Sequence, residues 1–158
     1  MQMTMNRTKL SGTAAEIAKT QLQVSLVDLI DLTLQAKQAH WNVVGPRFRS
    51  VHRQLDELVA ETRAFADTVA ERIVILGDAA EGSARAVEHH TKLDPLAGGF
   101  LEDNEVVTLM IARLDATCGR IRQNLKGIQD PVSHDLLVQV LAKLEEQMWM
   151  FHAQTQEN

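Results

Sequence analysis

Five residues in the first half of the chain carry side chains that bind transition metals: His40, His52, Asp56, Asp67 and Glu71. Imidazole nitrogen and carboxylate oxygen together make a donor set that suits iron. Successive members are twelve, four, eleven and four residues apart. A step of four places neighbours on one face of a helix, so His52 with Asp56 and Asp67 with Glu71 form two pairs. A plainer reading stands beside this one. Charged residues opposite a helix's core are commonly just solvated, and Arg49, Arg53 and Arg63 share the region.

The elements that must hold these residues are helices. Of 158 residues, 45% are hydrophobic and only three are proline, and no β-branched run alternates with polar residues, so the expected class is all-α. Apolar residues at Ile17, Leu22, Leu26, Leu29, Ile30 and Leu34 predict a first helix from about Thr13 to near Trp41. Val24, Val27 and Leu32 widen that stripe and suggest a second buried face against another subunit. Gly45 and Pro46 end it in a short turn. Phe48, Val51, Leu55, Leu58, Thr62, Phe65, Val69, Ile73 and Leu76 mark a second helix over 48–76. A long connection over 77–102 follows, broken by glycines and Pro95, with room for a short helix midway. Two more helices are expected, over about 104–128 and from Pro131 to about Gln154. Four long helices joined short, long, short describe a ferritin-like four-helix bundle with one long crossover. Its expected extent is 13–154, with tails at 1–12 and 155–158.

Geometry then tests the five residues. At about 100° per residue, His52, Asp56, Asp67 and Glu71 fall within an arc of about 100°, centred roughly 145° from the helix's apolar stripe. They point away from the chain's own core. A di-iron site inside the bundle would use a Glu-x-x-His motif, and the chain contains none. His52 and Asp67 lie roughly 22 Å apart along one helix, so they cannot share an ion within one chain. Two copies of the helix packed antiparallel about a two-fold near Glu61 and Thr62 would bring His52 and Asp56 of one against Asp67 and Glu71 of the other. Such a contact creates two equivalent sites at once. His40 would join from the end of the first helix.

The runs KQAHWNVVGPRF, VHRQLDEL and DTVAERIVILG resemble the signature of the Dps family, the mini-ferritins, and the five spacings match that family's ferroxidase constellation. LAKLEEQMWMFHAQ resembles its last helix, so the likeness spans nearly the whole chain. The resemblance implies a hollow homododecamer that oxidises Fe(II), preferably with hydrogen peroxide, at two-fold interfaces and stores ferric mineral inside, protecting DNA. It implies two iron ions per intersubunit site, one loosely held. Asp67 and Glu71 would be the principal ligands from one subunit and His40 would come from the partner, with His52 and Asp56 completing the second position. Many family members also bind and compact DNA, which gives the alternative function of a nucleoid-structuring protein.

Other residues support narrower expectations. Trp41 and Trp149 read as packing residues, with Trp41 also a candidate trap for stray oxidising equivalents beside His40. Asp130 and Asp135 flank the last helix's start, where capping is the ordinary role; the resemblance adds a three-fold pore guiding Fe(II) inward. Glu57 and Glu61 read equally as cavity-facing or solvated. His89 and His90 read as a surface pair, His134 and His152 show no partner pattern, and Cys118 sits on a core step. The single cysteine excludes an internal disulfide. The first residues lack an apolar leader and no apolar run reaches membrane-spanning length, so the expected location is the cytoplasm, or the nucleoid if DNA is bound. Net charge is −5 and the leading tail offers only Arg7 and Lys9, so DNA binding is expected to be weak or absent near neutral pH.

Overall fold

A computed structural model describes residues 12–155. In chain order the elements are α1 (Thr13–Asn42), β1 (Val43–Val44), α2 (Phe48–Ile75), α3 (Ala84–His90), β2 (Leu101–Glu102), α4 (Asp103–Leu125) and α5 (Pro131–His152). The four long helices form the expected bundle. The α1–α2 and α4–α5 pairs pack as antiparallel hairpins, while the crossover returns along the bundle so that α4 starts beside the end of α1. That return is fixed by a two-residue parallel pairing, Val43 with Leu101 and Val44 with Glu102. This pairing, which apolar periodicity could not announce, is the one departure from all-helical structure among the described residues. The short helix midway along the crossover is present as α3, with the Ser83 hydroxyl accepting from the Ala86 N–H as its cap.

The turn at Gly45 explains how α2 comes to lie against α1. Gly45 has φ of 124°, and a Cβ there would sit 2.6 Å from Asp103 Oδ2, so glycine serves both the backbone and the close approach. The same Asp103 oxygen accepts from the Arg47 N–H at 2.6 Å, fastening the turn to the first residue of α4.

The core is one apolar column. Leu22, Leu29 and Leu32 of α1, Leu55, Leu58 and Ile73 of α2, Met110, Leu114 and Ile121 of α4, and Leu137, Leu144 and Phe151 of α5 are fully buried. Burial of a Leu or Phe contributes about 1.5–3 kcal/mol, and the column sets which face of α2 remains outside. Several sequence expectations are corrected at the edges. α4 stops at Leu125, three residues early, because Gly127 interrupts it; Ile128 is still buried beyond the helix end. α1 ends at Asn42, near Trp41 as expected, and α2 ends at Ile75, one residue before the expected Leu76. Val27 and Leu32 are buried within the chain, whereas Val24, Leu34 and Phe48 are exposed, Leu34 by 56%. The tails expected at 1–12 and 155–158 lie outside the described residues except for Gly12 and Thr155.

Candidate metal centre

The two histidines are brought together by the short turn between α1 and α2. His40, in the last turn of α1, is buried to 6% exposure, and His52 is half-buried on α2. His40 Nδ1 lies 2.8 Å from the His52 carbonyl oxygen, and His52 Nδ1 lies 2.8 Å from the His40 carbonyl oxygen. The rings stack with centroids 3.6 Å apart, and Phe48 backs His52 at 4.9 Å. A carbonyl can only accept, so both Nδ1 atoms must carry the proton. In the neutral rings this leaves both Nε2 lone pairs free, which is the tautomer a metal ligand needs. The exchange also gives a partner to a carbonyl in the last turn of α1, where intrahelical bonding runs out.

Asp56, one turn on from His52, completes this end. Its Oδ1 accepts from Lys37 Nζ at 2.5 Å and stands 3.5 Å from His40 Nδ1. The hydrogen bond from Lys37, aided by the charges of the neighbouring groups, holds the Asp56 carboxyl below its usual range. Lys37 is a site residue that sequence reasoning missed. It lies nineteen residues from Asp56 on another helix; the available signal was its place one turn before His40.

The far pair contrasts with this. Asp67 and Glu71 are exposed on the same outer face of α2, and neither has a hydrogen bond or ion pair among the described residues. Like charges four residues apart on a helix repel, at a cost of about 0.2–0.5 kcal/mol, and among the described residues no cation stands within ion-pair reach to offset it. The structure therefore gathers His40, His52 and Asp56 and leaves Asp67 and Glu71 apart. Among the described residues no three His, Cys, Asp or Glu side chains of one chain form a metal-binding group.

Thr62, at the level where the two-fold was expected, turns inward. It is fully buried and accepts from the Thr33 hydroxyl at 2.7 Å. The outward residues at that level are Val59 and Arg63, which with Leu34, Lys37, Trp41 and Pro95 line an open groove of about 710 Å³. Trp41 and Trp149 are 65% and 67% exposed, so within one chain neither is the packing residue expected.

The remaining candidates fall elsewhere. Asp130 is 5% exposed and caps α5, accepting from the Ser133 N–H at 2.9 Å and from its hydroxyl; Arg72 Nη2 pairs with it at 2.7 Å. Burial works against its charge, but the Ser133 and Arg72 hydrogen bonds outweigh that and hold the carboxyl below its ordinary 3.8. Capping is thus the role that Asp130 has within the chain. Asp135 is exposed and accepts from Gln139 at 2.7 Å. Glu61 accepts from Gln147 at 2.9 Å and faces Lys143 at 3.7 Å, while Glu57 is exposed. His89 and His90 are an exposed edge-to-face pair on α3; His134 is half-buried and His152 exposed. Cys118 is fully buried, and burial pushes its thiol up to about 11.

Residues 19–157 match the ferritin-like domain family. The chain is 34% identical over 139 residues to the DNA protection during starvation protein of Agrobacterium fabrum, an alignment covering 86% of each. Its backbone superposes on the crystal structure of Dps92 from Deinococcus radiodurans with a TM-score of 0.90 and 31% identity, covering 93% of this chain and 90% of that one. This chain belongs to the Dps family of ferritin-like proteins. It is also 38% identical over 134 residues to the fine tangled pili major subunit of Haemophilus ducreyi, covering 84% of this chain and 71% of that one. A Dps-family fold therefore coexists with differently named roles, and the activity of this member has to be argued from its side chains. No helix among the described residues is long and apolar enough to cross a membrane.

Proposed function

We propose that this protein is an iron-sequestering ferroxidase of the cytoplasm. It oxidises Fe(II), preferably with hydrogen peroxide, at sites shared between two-fold-related subunits of a hollow homododecamer that stores the ferric product and so protects DNA. The carrying observation is the reciprocal His40–His52 pairing. It leaves both Nε2 lone pairs unengaged while the Asp56 carboxylate stands 3.5 Å from His40 Nδ1, at one end of a helix whose other end bears two carboxylates without partners among the described residues.

Iron is the substrate here. Three donors at one end of α2 and two at the other are each too few, while two antiparallel copies give two complete sets of five. Imidazole and carboxylate oxygens hold Fe(II) and favour Fe(III), and a set shared by two ions leaves positions open for peroxide. Two Fe(II) supply two electrons to one hydrogen peroxide. Its O–O bond breaks and two protons are taken up to give two waters, without one-electron release of hydroxyl radical. Asp56 gives up its Lys37 partner when it ligates, which makes the position nearer Asp56 the weaker of the two. The groove of exposed Leu34 and Trp41 and half-buried Val59 supplies apolar surface for the subunit contact. A subunit charge of −5, repeated around a shell, repels phosphate, so association with DNA is weak at neutral pH; tight, salt-resistant binding in a mobility shift would contradict that part.

The test is anaerobic Fe(II) oxidation with added hydrogen peroxide, on the protein and on an Asp67→Ala, Glu71→Ala double variant. Rapid oxidation that the variant loses while it still assembles supports the reading. Equal slow rates in both refute it.

A further inference from the structure

α2 opens with arginine where helices ordinarily place acids. Arg47 is its N-cap, Arg49 and Arg53 follow, and the first turn contains no acidic residue. Cations in the first turn work against the positive end of the helix dipole, and Arg53, in the second turn, adds a further positive charge close by, so each calls for a reason. Arg47 has one inside the chain: it donates to the Gln154 carbonyl at 2.9 Å and to Asn104, and stands 3.5 Å from Asp103. Arg49 and Arg53 are exposed, and neither has an ion pair or side-chain hydrogen bond among the described residues.

We infer that Arg53 is a positioning residue for the iron site: across the two-fold, its guanidinium pairs with the carboxylate of Glu71 of the partner subunit. The inference rests on the ferroxidase reading and the register that reading requires. The two-fold point lies midway between His52 and Glu71 and equally midway between Asp56 and Asp67. The partner's Glu71 therefore stands level with His52 and one residue, about 1.5 Å, from Arg53 along the helix axis. Direction agrees with level. Arg53 precedes Glu71 by eighteen residues, about five full turns, so the two side chains leave α2 on the same side. A two-fold perpendicular to a pair of antiparallel helices keeps each residue on its own side of the interface, so Arg53 and the partner's Glu71 meet there. His52 leaves the helix about 100° away, on the opposite side. Arg49 shares its direction with Asp67, but in this register it stands level with position 74 of the partner, about 10 Å along the axis from the partner's Asp67.

The pairing gives both residues a role that the single chain does not. A guanidinium presents several donors in a planar fork. Gripping one oxygen of the carboxylate fixes the rotamer of a long exposed side chain and leaves the other oxygen for iron. It also offsets the repulsion between Asp67 and Glu71.

Two measurements on the assembled protein test this. In an Arg53→Cys, Glu71→Cys double variant, with Cys118 buried, a short bis-maleimide should link subunits into a dimer that survives denaturation, and neither single variant should do so. Separately, Arg53→Gln should weaken anaerobic Fe(II) binding by about tenfold, the loss usual for a residue that orients a ligand. KM for Fe(II) should rise with a smaller change in kcat, Arg53→Lys should recover part of the loss, and Arg53→Gln should add nothing in a Glu71→Gln background. Absence of the cross-link overturns the inference, as does unaltered Fe(II) binding by Arg53→Gln or full additivity with Glu71→Gln. A cross-link in the double variant, together with a parent protein that binds no Fe(II), would refute the ferroxidase reading, and the role of Arg53 with it, while keeping the register. A missing cross-link in a protein that binds Fe(II) refutes the Arg53 inference alone.

Discussion

The two ends of α2's outer face are built on opposite principles. At the near end the His40 and His52 rings are locked by each other's backbone carbonyls, and Asp56 is held by Lys37. At the far end Asp67 and Glu71 stand in solvent with no partner among the described residues. The near end is held by contacts within the chain and the far end has none among the described residues. A chain that solved the problem alone would have gathered its ligands at one place. Three of them prepared and two of them bare is what the proposed site, completed by a second copy, requires, because the bare carboxylates would gain partners when that interface forms.

That contrast makes sharp demands on variants. Removing the far carboxylates (Asp67→Ala with Glu71→Ala) should reduce peroxide-driven Fe(II) oxidation on the order of 100-fold or more. Subunit stability in urea should stay within about 0.5 kcal/mol, since exposed unpartnered groups carry little of it. A large stability loss would mean that these carboxylates have partners inside the chain after all. Asp130 shows the behaviour of an acid that does have them. Asp130→Ala removes a cap and strands Arg72, and should cost about 3 kcal/mol in urea unfolding, against about 0.5 kcal/mol or less for Asp135→Ala. The near end falls between: His52→Ala loses the carbonyl bond and the stacked ring, and should cost about 1–2 kcal/mol beyond its effect on iron.

Acid should separate the same regions. A carboxyl held low in the folded state stabilises the fold fully above its unfolded value and loses that contribution as pH falls through the lower folded one. For Asp130 the loss therefore sets in below its ordinary 3.8. Unfolding free energy measured against pH should fall less steeply below about pH 4 in Asp130→Asn than in the parent; equal slopes would remove Asp130 from the acid response. The smallest effect is expected at Trp41, exposed beside the near end. Trp41→Phe should leave Fe(II) oxidation unaltered while spin-trapped radical rises during turnover, and an unchanged trap signal would end its role as a sink.

Much of this was legible in the sequence because it depends on period. Leu55, Leu58, Val69 and Ile73 announced α2's inner face, and the wheel alone put Asp56, Asp67 and Glu71 outside. What escaped depends on contacts between distant segments. Nothing in the spacing paired Lys37 with Asp56, or set His40 and His52 to exchange carbonyl bonds. Thr62 was legible as a core position, but not its bond to Thr33. Leu34 sat on an apolar step of α1 yet is exposed, because periodicity reports that a face is apolar and not which neighbour covers it. Trp41 and Trp149 misled for the same reason. The early end of α4 followed from Gly127, a breaker that the regular steps toward Ile128 obscured.

The central claim, that each site takes its two ends from two subunits, can be tested by mixing two inactive proteins. One carries His40→Ala and His52→Ala, the other Asp67→Ala and Glu71→Ala. In a dimer formed from one of each, one site has both ends damaged and the other has both ends intact. Co-refolded at equal amounts, the mixture should recover about one quarter of the parent's Fe(II) oxidation rate, since about half the dimers are mixed and each has one good site. No recovery from a mixture shown to contain mixed assemblies would mean that both ends serve the same subunit, and would contradict the account.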